Sequence, residues 1–479
     1  MDVSLKDRKS KIGLFFISCK RFSNLGIDTK DGSYVNRITK ETNHIVRQLN
    51  DKATIVNPGE IFSDSDMKRA LLLFKEKEVD CILCIFHSWS EDNVWIKFLR
   101  DSDKEIPLIY YYPVKEDIPY DDCSDDNDFI QFLTDGGLVG SLVGSGSIKK
   151  MDRDAKVIVG TIDDSSNQIV EYANICKVRN ILKDSHICVV PTFNEIMWNT
   201  YFNPYRIFQD GPEVSFYSYK ELKEISDEID EEEVTSYVNI LKSKYKTDGV
   251  IDKEKFAASA RYSLGIDKLM DKYDLDGMTL NDVSAELFET IGLRPGFYPN
   301  SINEKKRFVC PEGDLGLALS VYILKLLSDK QVNVVEPFYI DKSKDLFCGG
   351  HAGPNDYNGE MSSSNVKIAI DKRFAKTSYK YAGAPFAWLR IPPGRMTMVH
   401  ISQIKDEIKL VASRVNSLEG KHKIQGYTHS EFSVEGDINI FFEKMLTIGT
   451  TQHFVVVEGD YINQLESLSK LCNFSFYKV

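Results

Sequence analysis

The feature that most constrains this chain is the alternation, over its first third, of short wholly apolar runs with amphipathic stretches. Residues 12–17, 81–86 and 106–112 carry no charge, whereas 65–77 and 91–100 place their apolar residues on one helical face. An apolar run of six or seven residues fits a strand buried on both faces, and such strands need helices above and below them. The expected architecture is therefore α/β, with a parallel, helix-covered sheet. The pattern recurs at 157–160 and 187–190, after helical segments at 128–151 and 164–183. Within 128–151, Gly140-Ser141-Leu142-Val143-Gly144-Ser145-Gly146-Ser147 sits in a helical setting, so its glycines suit close helix packing rather than a phosphate loop.

From about 205 to 275 the chain turns charged and helical, with an acidic stretch at 221–233 that fits an exposed helix face. Arg294-Pro295-Gly296-Phe297-Tyr298-Pro299-Asn300 interrupts regular structure, and an amphipathic helix is predicted over 315–327. Strand candidates follow at 332–335, 387–391, 396–401, 408–412 and 454–457, so the last third is expected to be β-rich, as a barrel or sandwich. Pro337 should stop the first of these strands.

At 479 residues the chain has length for about three domains. Its net charge of −12 argues against broad nucleic-acid binding. The first nine residues lack the apolar core of a signal peptide, and no apolar run approaches a membrane span. Nine scattered cysteines fit reduced thiols, so a cytoplasmic location is expected. Cys81 and Cys84 form a CxxC inside an apolar run, which suits buried strand residues better than zinc ligands. The run from Asp121 to Asp128 suits a solvated loop feeding a helix N-terminus.

Of the eight histidines, His44, His186, His422 and His429 suit surface or structural roles, and His400 suits a hydrogen-bonded core position. His351 differs: it lies in Cys348-Gly349-Gly350-His351-Ala352-Gly353-Pro354-Asn355-Asp356, where small residues permit close approach. His453 directly precedes an apolar strand. Two carboxylates stand out in the same half of the chain. Glu312, in Cys310-Pro311-Glu312-Gly313-Asp314, precedes the helix 315–327, whose positive dipole end favours its ionised form. Glu336 ends the run Val332-Asn333-Val334-Val335. Glu312, Glu336, His351 and His453 together would offer two oxygen and two nitrogen donors to a divalent ion such as manganese. Glu312 also reads as a helix cap, and Glu336 as a strand-end charge.

Glu312-Gly313-Asp314, a following helix, then Glu336, Gly350-His351, and His453 before a strand resemble the metal-site series of the L-arabinose isomerase and L-fucose isomerase superfamily. In the first third, His87-Ser88-Trp89-Ser90-Glu91-Asp92-Asn93-Val94-Trp95 is similar to that family's His-Thr-Phe-Ser segment, and Pro107-Leu108 follows at the matching place. The resemblance runs in order over nearly the whole chain. It implies two Rossmann-like or flavodoxin-like α/β domains, 1–184 and 185–330, followed by a β-rich, barrel-like domain, 331–479. It also implies a manganese-dependent aldose–ketose isomerase with no nucleotide cofactor. Glu312, Glu336, His351 and His453 would be its metal ligands, with both glutamates moving protons. A homo-oligomer, trimeric or hexameric, is implied as well, with the 87–95 segment reaching a neighbouring subunit's site. Neither nucleic acid nor membrane is an expected partner.

Two departures bear on the sugar rather than on the reaction class. Asp135-Gly136-Gly137 stands where arabinose isomerases carry a histidine before paired glycines, and Ser18-Cys19-Lys20-Arg21 replaces a Ser-Gln-His segment. Trp89 and Asp135 are accordingly the candidate substrate contacts. Asp135 either offers a carboxylate to sugar hydroxyls, beside a cation such as Lys20 or Arg21, or caps the turn Gly136-Gly137. Alternatives to the isomerase are an inactive sugar-binding or regulatory homologue and a metal-dependent epimerase or lyase.

Overall fold

The computed structural model describes residues 6–90, 92–118, 120, 122–353 and 365–479. Glu91 and Asp121, and Pro354-Asn355-Asp356 of the His351 segment, lie outside the described residues. The chain divides into two compact units, Met1–Asn180 and Ile181–Val479.

The first unit is built on a parallel sheet. Its strands are β1 (Lys11–Ile17), β2 (Thr54–Val56), β3 (Glu60–Ile61), β4 (Cys81–Phe86), β5 (Leu108–Pro113) and β6 (Lys156–Gly160), in the order β2-β1-β4-β5-β6 with β3 also on β1. Every residue of β4 is buried, as its unbroken apolar run predicts, and Cys81 and Cys84 are free thiols within it. Phe15, Phe74, Trp95 and Phe98 form the centre of the core beside this sheet. The helix expected over 128–151 is two helices, Asp126–Asp135 and Gly137–Lys150, because Gly136 leaves the helical conformation between them. Asp125 caps the first, accepting the Asp128 N–H at 2.9 Å.

The second helix shows why its sequence is rich in small residues. Trp95 donates its indole N–H to Gly144 O at 2.9 Å, and Tyr110 donates to Ser141 O at 2.7 Å. A Cβ placed on Gly140 would stand 2.3 Å from Ser88 O. The glycines therefore let the helix seat on the ends of β4 and β5.

The second unit joins a parallel sheet to a barrel. Strands β7 (His186–Val190), β8 (Glu213–Phe216), β10 (Gly277–Leu280) and β11 (Phe308–Pro311) run parallel in the order β11-β10-β7-β8. A small sheet holds β9 (Lys246–Asp248), β14 (Val366–Ile370) and β15 (Pro385–Leu389). The remaining strands are β12 (Val332–Asp341), β13 (Leu346–Ala352), β16 (Gly394–Ile404), β17 (Glu407–Ser417), β18 (Tyr427–Val434), β19 (Phe454–Glu458) and β20 (Ser475–Lys478). The order β16-β19-β12-β13-β18-β17, with β17 pairing back to β16, closes six antiparallel strands into a barrel, and β20 adds in parallel to β17. One hydrophobic core runs from Val190 and Met278 of the parallel sheet to Phe347 and Phe454 of the barrel.

Pro337 does not end its strand. β12 pairs with β19 only up to Val335 and with β13 from Glu336 to Asp341, with an irregularity between Pro337 and Tyr339. Pro337 thus falls where β19 pairing has ended and the β13 pairing turns irregular, a setting in which a strand tolerates a proline.

Gly140→Val should destabilise the first unit by about 1–3 kcal/mol, the usual cost of forcing atoms into a filled contact. Peptide-resolved hydrogen exchange of the full chain over Cys81–Phe86 checks this; unchanged protection would mean that the helix does not seat there.

Candidate metal centre

The parallel sheet of the second unit delivers one side of the site from the carboxyl ends of its strands, where open α/β sheets place their ligands. Glu312 follows β11, Asp282 lies just beyond β10, and Asn194 lies beyond β7. The barrel delivers the other side. Glu336 on β12 is opposite Gly350, next to His351 on β13, and Val335 is opposite Phe454, next to His453. The pairing thus brings the backbone of Glu336, of His351 and of His453, just before β19, to the same level of three neighbouring strands. Gly350 is required for this register, since a Cβ there would lie 2.0 Å from Thr428 O.

All four residues singled out from the sequence converge. Glu312, Glu336, His351 and His453 each present a ligand atom, and these atoms lie within 4.8 Å of one another. His453 Nε2 is 3.0 Å from Glu312 Oε2 and 3.7 Å from Glu336 Oε1, and His351 Nε2 is 3.4 Å from Glu312 Oε1. Glu312, His351 and His453 are buried, whereas Glu336 is partly open. Burial opposes ionisation of Glu312, but the nearby charge of His351, with the hydrogen bond and charge of His453, overrides it and holds the carboxyl far below its ordinary range. The neighbouring imidazoles keep it charged. Burial likewise opposes protonation of His453, and Asp314 and Glu312 raise it to about 10.

The donors fit a divalent cation. Both ring nitrogens of His351 are buried and have no hydrogen-bond partner among the described residues, a costly state for a polar group unless something binds it. A mixed set of two carboxylates and two imidazoles suits manganese, zinc or iron better than calcium, which takes oxygen alone.

Several supporting residues were not read from the sequence. Asp314 caps the helix Leu315–Ser328 through Oδ1, which accepts the Leu317 N–H at 3.0 Å, and its Oδ2 accepts from His453 Nδ1 at 2.8 Å. This holds the ring so that Nε2 faces the other ligands. The signal was present, since a capping aspartate keeps one oxygen for a second donor. His400 confirms its core role: Nδ1 donates to His453 O at 2.7 Å while Nε2 accepts the Thr451 N–H at 3.2 Å. Behind Glu312, Asp282 Oδ1 accepts the Glu312 N–H at 3.0 Å. Glu312 itself is held at φ +67°, in the left-handed region that costs a non-glycine residue energy. Arg294, read as part of a loop, is buried beside this group. It donates Nε and Nη2 to Asp371 Oδ2 at 3.0 and 2.8 Å and Nη1 to Ala352 O at 3.3 Å, next to His351.

Trp89 and Asp135 belong to the first unit. Trp89 is exposed after β4. The Asp135 carboxylate accepts from Gln131 Nε2 at 3.1 Å rather than capping the glycine turn, and its neighbouring cation is Lys115 at 3.8 Å rather than Lys20 or Arg21. Burial pushes its carboxyl up. Close by, His87 is buried, stacked on Phe16, and lies 3.4 Å from Glu60 and 3.6 Å from Glu41. Burial lowers its pKa, and the two glutamates override this and raise it to about 9.

The chain matches no protein-family model and no curated protein.

Two outcomes are expected here. Asp314→Ala should weaken divalent-ion binding about 10–100-fold, as loss of a histidine-orienting carboxylate does elsewhere. Calorimetric manganese titration measures it, and unchanged affinity would remove Asp314 from the site. Because the folded pKa of His87 lies above its ordinary 6.5, its contribution to stability is fully present below about pH 6.5 and lost as pH rises through about 9. Protection of Cys81–Phe86 amides, corrected for intrinsic exchange, should fall across that window in the parent and stay flat in His87→Gln.

Proposed function

We propose that this protein is a metal-dependent ketol isomerase that interconverts a neutral aldose and its ketose, within the likeness to the arabinose and fucose isomerases. The observation that carries the reading is the convergence of Glu312, Glu336, His351 and His453 on one small volume.

Aldose–ketose conversion moves a proton between C1 and C2 and another between their oxygens. Two carboxylates on one substrate can take and return these protons, as base and then acid. Glu336 suits the carbon proton best, because it is partly open and lies no closer than 3.7 Å to His453. Glu312, with one oxygen on each histidine, is fixed in place and suits proton traffic at the oxygens. A bound divalent ion, held by Glu312, Glu336, His351 and His453, would supply positive charge beside the reacting oxygens. The buried walls formed by His351 and His453 keep water from the carbon being deprotonated.

The same reading gives the protein a neutral, unphosphorylated substrate. In the first unit the Asp135 carboxylate, beside Lys115, offers acceptor oxygens to the hydroxyls of such a sugar. Trp89 and Asp135 are its proposed sugar contacts. A homo-oligomer, as a trimer or a pair of trimers, and a cytoplasmic setting complete the proposal. Among the described residues no helix is long and apolar enough to cross a membrane.

The test is an isomerisation screen of pentoses, hexoses and 6-deoxyhexoses with manganese, read by NMR. Glu312→Gln and Glu336→Gln should each lower turnover about 10²–10⁴-fold, the worth of a positioned proton-transfer group. His351→Ala and His453→Ala should lose metal first and recover partly in excess manganese. Full activity in either glutamine variant with metal bound, or a sugar phosphate as best substrate, would overturn the assignment.

A further inference from the structure

Within the second unit, the segment that follows β7 carries an unusual surface. Ile196, Trp198, Tyr201, Tyr205 and Phe208 are 74%, 83%, 54%, 84% and 63% exposed. An aromatic side chain offers about 150–250 Å² to a partner, so the four aromatics, with Ile196 beside them in sequence, together leave on the order of 700 Å² of largely apolar surface open. It approaches the roughly 800 Å² that each partner contributes to a standard interface.

The charges of this segment are turned away from the patch. Residues 193–208 contain only Glu195 and Arg206 as charged side chains. Glu195 accepts from Asn281 Nδ2 at 2.6 Å. Arg206 is spent on Asp210, Asp406 O and Asn473 O. Tyr205 and Phe208 sit three residues apart on the short helix Pro204–Asp210, and so share its outer face. The indole N–H of Trp198 bonds to Glu195 O within its own loop, leaving the ring without need of a polar partner. Aromatics with few charges are the composition of an interface core.

We infer that this aromatic surface, Ile196 to Phe208, is where a second copy of the chain docks. An apolar area of this size needs cover at all times, and the partner present at every concentration of the chain is the chain itself. The segment is also tied to the metal cluster. Asn194 donates to Glu312 O at 3.2 Å, and Met197 and Asn199 contact Gln452, which precedes His453. Docking therefore falls at the rim of the cluster, although the inference does not depend on the cluster binding metal.

Sedimentation velocity of the full chain over a micromolar dilution series tests it, alongside hydroxyl-radical footprinting of the unaltered protein. The parent should associate, with Trp198 and Tyr205 becoming protected as it does so. Trp198→Ser/Tyr205→Ser should weaken association at least about 30-fold, the loss expected of interface hot spots, with unchanged circular dichroism. Ile440→Ser/Leu446→Ser, at exposed positions elsewhere, should associate like the parent, and a chelator should leave assembly intact. A monomeric parent, assembly that leaves Trp198 and Tyr205 unprotected, or parent-like association of the Trp198/Tyr205 variant would each overturn the inference.

Discussion

The second unit turns on one buried imidazole. His453 bridges Asp314 on Nδ1 and Glu312 on Nε2, at 2.8 and 3.0 Å, in surroundings that exclude solvent from all three. Asp314 and Glu312 belong to the loop that leaves the parallel sheet, and His453 belongs to the barrel. The contact therefore fastens the two layers as well as shaping the site. Taking one partner from such a buried charged group leaves the others uncompensated, at a typical cost of about 3–5 kcal/mol. Fold and chemistry are coupled here, because the same bonds that close the layers orient the donors.

Around that contact, support is arranged in depth. Asp282 holds the Glu312 amide from behind, and Arg294 lies between Asp282 and Asp371, 3.6 Å from the first and bonded to the second. His400 fixes the His453 carbonyl from the opposite side. The left-handed backbone at Glu312 is sustained by this surrounding grip. Glu336 is the exception, partly open and held at longer range, which suits a group that must meet a substrate.

Much of this was legible from residue patterns. The run Cys81-Ile82-Leu83-Cys84-Ile85-Phe86 has no polar face and could only be a strand covered on both sides. The spacing of glycines at Gly140 and Gly144 marked close packing. The four ligand candidates were found because histidines are few, because His351 sits among small residues after a strand, and because His453 directly precedes one. What the sequence did not disclose was set by partners distant along the chain. Pro337 reads as a stop unless it is known that β12 changes neighbours beside it. The cap read at Glu312 belongs instead to Asp314, whose second oxygen meets a histidine 139 residues away. Arg294 reads as a loop residue until Asp282 and Asp371 enclose it. The cation beside Asp135 comes from Lys115, beyond β5, rather than from the nearby-seeming Lys20 or Arg21.

Four side chains from two layers of one unit converge on one candidate ion site. Anomalous diffraction from crystals equilibrated with manganese addresses it most directly. The account predicts one strong peak with Glu312, Glu336, His351 and His453 donors at about 2.0–2.4 Å, the range for oxygen and nitrogen ligands. A peak held by other residues, or four side chains that stay apart with no ion between them at saturating manganese, would contradict it.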